Sequence, residues 1–447
     1  MINGNVFWAV LLSALAVGCG DDDMTTAPDM PADLSMDMPP TGLCPTGTPL
    51  LEELAAPAFL VVGSDFSATS VGVLGATGEV LADAWIDSGT SAPGLVATLS
   101  GDVALPTDAA PDALALVDRF GTDVVTRLCA DGSLVGQVRL TPEATSLNLQ
   151  DVVVVDATMA WASRQEGNGA AAMELDRGTD LIGFDPTTMM PNGMRVDLSA
   201  FDTVADGIDT STGDPATDVA IGARPARMTR VGDTIVVALA LLPVDLFGDR
   251  RAHGQGTLAL VDVATGAVEG YELPAGLANC LQVLPVADSS TDVIVACQGY
   301  GDAGFGDVAG VRATAGIVRL RIAGDAPSLV AEWVAQDVET TPLAGWNVVS
   351  LGGNRVATVS VGVFASVPDV LWELVLVTDS FTELALGSDA ATGSFVLGQG
   401  AFASDLLLVP DAEAGTLRRF TVGAATTEGE AITVGPATLA PRSVQAL

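Results

Sequence analysis

Residues 258–273 read LALVDVATGAVEGYEL: an aliphatic run, a tight turn at Ala264-Thr265-Gly266, and a second run. A glycine-containing turn between two such runs makes an antiparallel hairpin. The pattern recurs. Residues 59–86 (FLVVGSDFSATSVGVLGATGEVLADAWI) and 114–140 (LALVDRFGTDVVTRLCADGSLVGQVRL) add a preceding run to it, with turns at Ala76-Thr77-Gly78 and Ala130-Asp131-Gly132. Looser copies lie at 180–198 around Asn192-Gly193, 316–334 around Gly324-Asp325, 371–386 around Asp379-Ser380 and 416–434 around Thr427. Several hairpins have a further strand ahead of them, as in Pro225 to Val231 before Thr234 to Leu241, and Val348 to Leu351 before Arg355 to Val361. Short unbroken runs of Val, Leu, Ile and Ala are strands buried on both faces. Four antiparallel strands per unit and seven units predict an all-β, seven-bladed β-propeller over residues 58–447.

A ring of repeats also resolves the size of the chain. Its 447 residues exceed the roughly 250–300 at which a single core stops growing, whereas each blade of a ring packs only on its neighbours. The first unit begins with what is elsewhere a second strand. The C-terminal Ala440-Pro441-Arg442-Ser443-Val444 is similar to the first-strand segment Arg224-Pro225-Ala226-Arg227-Met228, so the C-terminus is predicted to supply the innermost strand beside residues 58–87. Stretches such as ARPARMTRVGDTIVVAL (223–239) and GTLALVDVATGAVEGYELP (256–274) resemble the YVTN-type repeats of bacterial surface propellers, with a Pro-led strand, an aliphatic strand and a D-x-x-T-G turn. The resemblance implies the fold. It leaves the activity open, because propellers carry many unrelated ones.

Charge narrows the function. The chain has 56 acidic residues against 18 basic ones, all Arg, and a net charge of −38. Such a surface repels nucleic acid phosphates. The absence of Lys excludes a Walker-type phosphate loop, a Schiff-base lysine and a Ser-Lys dyad. With His253 as the one histidine, no multi-histidine metal site can be built.

The N-terminus reads as an address. Val6 to Val17 (VFWAVLLSALAV) has the length of a signal-peptide core rather than a membrane span. Leu15-Ala16-Val17-Gly18-Cys19 resembles the lipobox of bacterial lipoproteins, although Met1 to Asn5 lack the usual Lys or Arg. The resemblance implies a signal peptide over 1–18, lipidation at Cys19 and a lipid anchor in the cell envelope. With Gly20 next, it favours the outer membrane, the periplasmic or surface face being left open. Residues 19–57 then form an acidic, Pro-rich tether with eight acids and no Arg, a composition that favours disorder.

Four further cysteines fit an exported compartment, and four allow three pairings. Cys280 and Cys297 flank two apolar runs joined by a polar turn, so a hairpin sets them opposite each other within disulfide reach. By elimination Cys44 pairs with Cys129. The five tryptophans Trp85, Trp161, Trp333, Trp346 and Trp372 occupy unlike repeat positions and read as core.

Long connections are predicted to share one face: 164–178, 199–218, 243–256, 298–315 and 364–368. Loops of this kind commonly carry function. Three constellations stand out there. Asp206, Asp209, Asp214 and Asp218 offer hard oxygen ligands for Ca2+, or form a solvated acidic loop, since their spacing matches no EF-hand. Arg250, Arg251 and His253 form a local basic cluster that suits an anion or carboxylate, or local salt bridges to Asp245 and Asp249. Tyr300 and Phe305 lie on a Gly-rich stretch and suit contact with a sugar or peptide, or mark a linker.

The leading expectation is a monomeric, lipid-anchored propeller without catalysis that binds a protein, polysaccharide or small ligand through its long-loop face. The alternative is a metal- or quinone-dependent propeller enzyme, an oxidoreductase or lactonase, built from carboxylates around a central channel. A Cys19→Ser variant is expected to be unprocessed or soluble; unchanged membrane association and mass in cell fractionation would refute the anchor.

Overall fold

The computed structural model describes residues 57–447 except 92–94, 96, 109–112, 120, 130–133, 142–144, 247, 249, 301–307, 324–325, 335–345, 361–367 and 389–395. Residues 1–56, which cover the expected signal (1–18) and all but the last residue of the expected tether (19–57), lie outside the described residues, as do Cys44 and Phe305. The described residues form eight four-stranded antiparallel sheets.

In chain order, the first sheet holds β1 (Pro57–Ser64), β2 (Thr69–Gly75) and β3 (Val80–Asp87). The second holds β4 (Val103–Ala104), β5 (Ala113–Asp118), β6 (Val124–Cys129) and β7 (Leu134–Arg139). The third holds β8 (Leu149–Asp156), β9 (Met159–Gly167), β10 (Gly178–Asp185) and β11 (Met190–Asp197). Next come β12 (Thr203–Asp209) and β13 (Pro215–Gly222), which belong to an inserted sheet, then β14 (Pro225–Val231) and β15 (Thr234–Leu239). Two further short strands of the insert, β16 (Leu242–Pro243) and β17 (Arg250–Arg251), precede β18 (Thr257–Asp262) and β19 (Val268–Glu272), which complete the sheet of β14 and β15. The next two sheets are β20 (Cys280–Pro285), β21 (Asp292–Gln298), β22 (Ala315–Arg321), β23 (Ser328–Val334), and β24 (Trp346–Ser350), β25 (Arg355–Ser360), β26 (Val370–Val375), β27 (Ser380–Leu386). The last is β28 (Ala401–Ala403), β29 (Leu406–Asp411), β30 (Thr416–Thr421) and β31 (Thr427–Glu428), and β32 (Pro441–Ala446) returns to the first sheet in the order β3-β2-β1-β32.

Seven of the eight sheets are thus meanders, and the predicted C-terminal strand is in place: Phe59 faces Ala446, Val61 faces Val444 and Gly63 faces Pro441. Gly63 is required at that closure. A Cβ there would lie 2.6 Å from the Leu439 carbonyl oxygen. Middle strands are apolar without interruption because neighbouring sheets cover both of their faces; every residue of β2, β6 and β29 is buried. Outermost strands face water and are polar, as β11 (MPNGMRVD) shows. The apolar clusters join successive sheets, and one of them also takes in the inserted sheet. Leu60, Val62 and Val71 pack with Leu114 and Leu116 of the second sheet. At the closure, Phe59, Val61 and Leu74 pack with Leu406, Leu408 and Leu417 of the last.

The turns expected at Ala130-Asp131-Gly132 and Gly324-Asp325 lie outside the described residues, and Thr427, expected in a turn, instead pairs with Thr421 in β31. Two further sequence expectations are corrected. Asn192-Gly193 is not the turn of its unit. The chain reverses at 186–189, and Asn192 and Gly193 sit within β11 opposite a register shift, where Gly193 takes φ +79°. The second correction is larger. Residues 199–218 and 243–256 do not project as separate loops but supply strands to the inserted sheet, ordered β16-β13-β12-β17. Ala216, Val219, Ile221 and Ala252 of that sheet are buried on the seam formed by Trp161, Leu181, Ile235 and Val261. An apolar face seated on two sheets at once is the physical reason the insert folds.

Cys280 and Cys297 face each other across β20 and β21 and form a disulfide. Cys129 is a half-cystine at the end of β6. Trp161 and Trp333 are buried, and Trp85, Trp346 and Trp372 pack against the core. Among the described residues no helix is long and apolar enough to cross a membrane.

Deleting residues 438–447 removes an entire inner strand and the polar partner of β1, so cooperative thermal unfolding is expected to vanish. Retained cooperative melting of that truncation would refute closure as a requirement.

Candidate ligand-binding channel

The inner strand of the second sheet is unusually short. β4 pairs with β5 only through Val103–Asp118 and Ala104–Val117. Two positions on, Pro106 has no N–H for a ladder, and the chain leaves the sheet there. Residues 105–108 run into the space between the inner strands and bind three of them. The Leu105 carbonyl accepts from Arg227 Nη1 of β14 at 2.8 Å. The Pro106 carbonyl accepts from the Gln445 side chain of β32. The Thr107 amide and hydroxyl donate to Asp151 of β8 at 2.9 and 2.6 Å. Asp108 accepts from the Thr229 hydroxyl at 2.6 Å and from the Arg230 amide at 2.7 Å, both on β14.

Around this strap lies a cavity of about 780 Å3, lined by residues on or next to β4, β8, β14, β20, β24, β28 and β32, and by Arg127 of β6. Every one of the seven meander sheets therefore meets it. The inserted sheet contributes no lining residue among those described. A volume of this size suits a small organic ligand. One wall is a glutamine relay: Gln282 donates to Gln399 at 2.6 Å and accepts from the Val348 amide at 2.8 Å, while Gln399 donates to the Val348 carbonyl at 3.0 Å. Ser350 adds a buried hydroxyl that has no hydrogen-bond partner among the described residues.

The charges on the lining reverse the balance of the whole chain. Arg127, Arg227 and Arg230 stand against Asp108 and Asp156, in a protein with 56 acids and 18 bases. Arg227 also lies 3.6 Å from Asp151, which is fully buried behind the strap. Burial pushes the Asp108 carboxyl up to about 6; the Thr229 and Arg230 hydrogen bonds oppose this, and the Asp151 charge adds to it. Few carboxyls are better placed to exchange a proton near neutral pH.

The residues singled out in the sequence lie elsewhere, on and around the insert. Asp206 and Asp209 are on β12, Asp214 is in the following turn and Asp218 is on β13. Asp209 accepts from the Ser211 hydroxyl and amide, which hold its carboxyl below the ordinary range, and Arg250 adds to that effect. Among the described residues no three His, Cys, Asp or Glu side chains converge as metal ligands would. The acidic stretch and the basic cluster prove to be neighbours: β12 pairs with β17, Asp209 facing Arg250 and Ile208 facing Arg251. His253 stands edge-on to Tyr300 with ring centroids 6.0 Å apart. Thus the structure joins two pairs of features that the sequence left separate, while Phe305 lies outside the described residues. The channel residues escaped sequence reading because strap and partners are up to 339 positions apart. The Leu105-Pro106 interruption after an apolar pair was the one local signal.

No protein-family model and no curated protein sequence matches this chain. Solved structures do. A candidate 6-phosphogluconolactonase from Bacteroides fragilis superposes with a TM-score of 0.54 at 10% identity, covering 88% of this chain and 98% of that one. One from Bacteroides uniformis gives 0.53 at 10%, covering 88% and 99%, and a protein from Lactobacillus plantarum 0.51 at 11%, covering 88% and 99%. The chain folds as a β-propeller. Likeness at this identity shows the fold alone, and the propeller's chemistry has to be argued from its own residues.

For Asp108 the folded value lies above the unfolded one, so the stability it contributes is complete below about pH 4 and is lost as pH rises through about 6. Denaturant unfolding of the propeller across pH 4–7 should show a loss on the order of 2 kcal/mol from this group. Asp108→Asn should flatten that slope; an unchanged slope would contradict the assignment.

Proposed function

We propose that this protein is an extracytoplasmic propeller, anchored through lipid on Cys19 in the cell envelope, that binds a small polar ligand in its central channel. The channel carries the reading: an enclosed space of ligand size, ringed by inner strands, with Arg227, Arg230 and Asp108 beside glutamine amides. A few convergent polar groups in a concave site are what orient a small ligand. Guanidinium groups in a confined, low-dielectric space favour an anionic or richly hydroxylated molecule. The long-loop face, with the inserted sheet and the His253–Tyr300 pair, serves in this reading as a second contact surface for a protein or polysaccharide.

A second reading is lactone hydrolysis. Asp108, titrating near 6, suits a general base for water attack, with Arg227 or Arg230 to balance oxyanion charge. Two of the similar structures are candidate 6-phosphogluconolactonases. No metal or quinone is required by this arrangement.

Titration calorimetry with D-gluconate and D-glucono-1,5-lactone tests both. Saturable binding, weakened more than tenfold in a folded Arg227→Gln variant, is expected. Lactone turnover lost in Asp108→Asn would favour the enzyme; equal affinity in wild type and Arg227→Gln would overturn the channel as the site.

A further inference from the structure

Asp108 reaches the channel on a segment that has left its own sheet, and it ends on a strand two sheets further round the ring. Among the described residues the inner edge of β14 has no neighbouring strand, so its channel-facing N–H groups need acceptors from elsewhere. Asp151 takes the Met228 amide at 2.9 Å, and Asp108 takes the Arg230 amide and the Thr229 hydroxyl. A hydroxyl and an amide donor side by side, beside an Arg230 guanidinium whose charge acts on the acceptor, form a carboxylate cradle.

The occupant of that cradle is held there by hydrogen bonds that a second carboxylate could also accept. β4 holds the strap by only two ladder residues, and beyond Leu105 it is held by polar contacts, all of which water or a ligand can replace. The Asp108 carboxylate also sits close to the negative Asp151, a repulsion relieved if it moves out to solvent. Exchange for a free carboxylate leaves the charge of the channel unaltered, whereas a neutral ligand would have to remove an anion and leave the arginines unbalanced.

We propose that the Thr229 hydroxyl and the Arg230 amide, flanked by the Arg230 guanidinium, form a carboxylate-binding subsite, which Asp108 fills as an internal stand-in until a carboxylate ligand of the channel displaces it. The proposal deepens the channel reading and rests on it, naming the ligand class as organic acids rather than neutral sugars. The strap is then a built-in competitor that lowers affinity for weak acids and admits those with further contacts to the glutamine wall.

The test vacates the cradle. In Asp108→Ala, sodium acetate should raise the melting temperature saturably relative to sodium chloride at equal ionic strength. Wild type should need at least tenfold more acetate for the same shift, and Asp108→Ala with Thr229→Val should lose the response. An equal response to acetate and chloride in Asp108→Ala, or an equal acetate response in wild type, overturns the subsite. If Asp108→Ala does not fold, Asp108→Asn keeps the shape of the strap, and D-gluconate should bind it more tightly than wild type; equal affinity again overturns the proposal. Acetate rescue of Asp108→Ala without any gluconate binding supports the subsite and overturns only the wider reading that the channel takes sugar acids. Gluconate binding that depends on Arg227 but not on Asp108 leaves the channel reading standing and removes the stand-in.

Discussion

The antiparallel pairing of β1 with β32 is the constraint on which the molecule depends. It joins Phe59–Gly63 to Pro441–Ala446 and brings residues almost four hundred positions apart into one sheet. Without it the first and last sheets would each expose an apolar face, since Phe59 and Leu74 pack on Leu406 and Leu408 only when the ring is shut. The channel follows from the same pairing. Its wall includes Ser443 to Ala446 of the closing strand, and Gln445 is what holds the strap from that side. Closure therefore stabilises the ring and shapes the site in one act.

A second theme is how a strongly acidic chain uses eighteen arginines. Some neutralise buried aspartates inside the sheets: Arg164 grips Asp180 through two bonds of 2.8 and 2.7 Å, and Asp292 is shared by Arg319 and Arg321, which hold its carboxyl down at about 2. The planar guanidinium suits such bidentate work better than an ammonium would. Three more line the channel. Among the described residues, acids outside the buried set that includes Asp180 and Asp292 lie toward the exterior, so the bulk charge keeps the surface repulsive while the channel lining holds three arginines against two aspartates.

The insert shows how a surface feature is changed by folding. In the sequence, the aspartates of 199–218 stand without a base, and the arginines at 250 and 251 form a cluster of their own. Pairing of β12 with β17 sets Asp209 against Arg250 and turns an unopposed charge into a partly compensated sheet. The apolar residues of β13, Ala216, Val219 and Ile221, supply the reason: they are buried together and seat the insert on two sheets.

By itself, the sequence determined the repeat, the strands, turns such as Ala76-Thr77-Gly78 and Ala264-Thr265-Gly266, the returning C-terminal strand and the Cys280–Cys297 bridge, because each of these is written in local periodicity or in a hairpin's own register. Local reading failed at Asn192-Gly193, where the pairing of β10 with β11 favoured a kink inside the strand over the turn that the dipeptide suggests. The site belongs to the tertiary structure. Asp108, Asp151, Arg227 and Gln445 come from four different sheets or from the segment between them, and no spacing along the chain foretells that they meet. Only the closing of the ring, with Pro106 turning the chain out of its ladder, brings these polar groups into one enclosed space where burial gives them their chemistry.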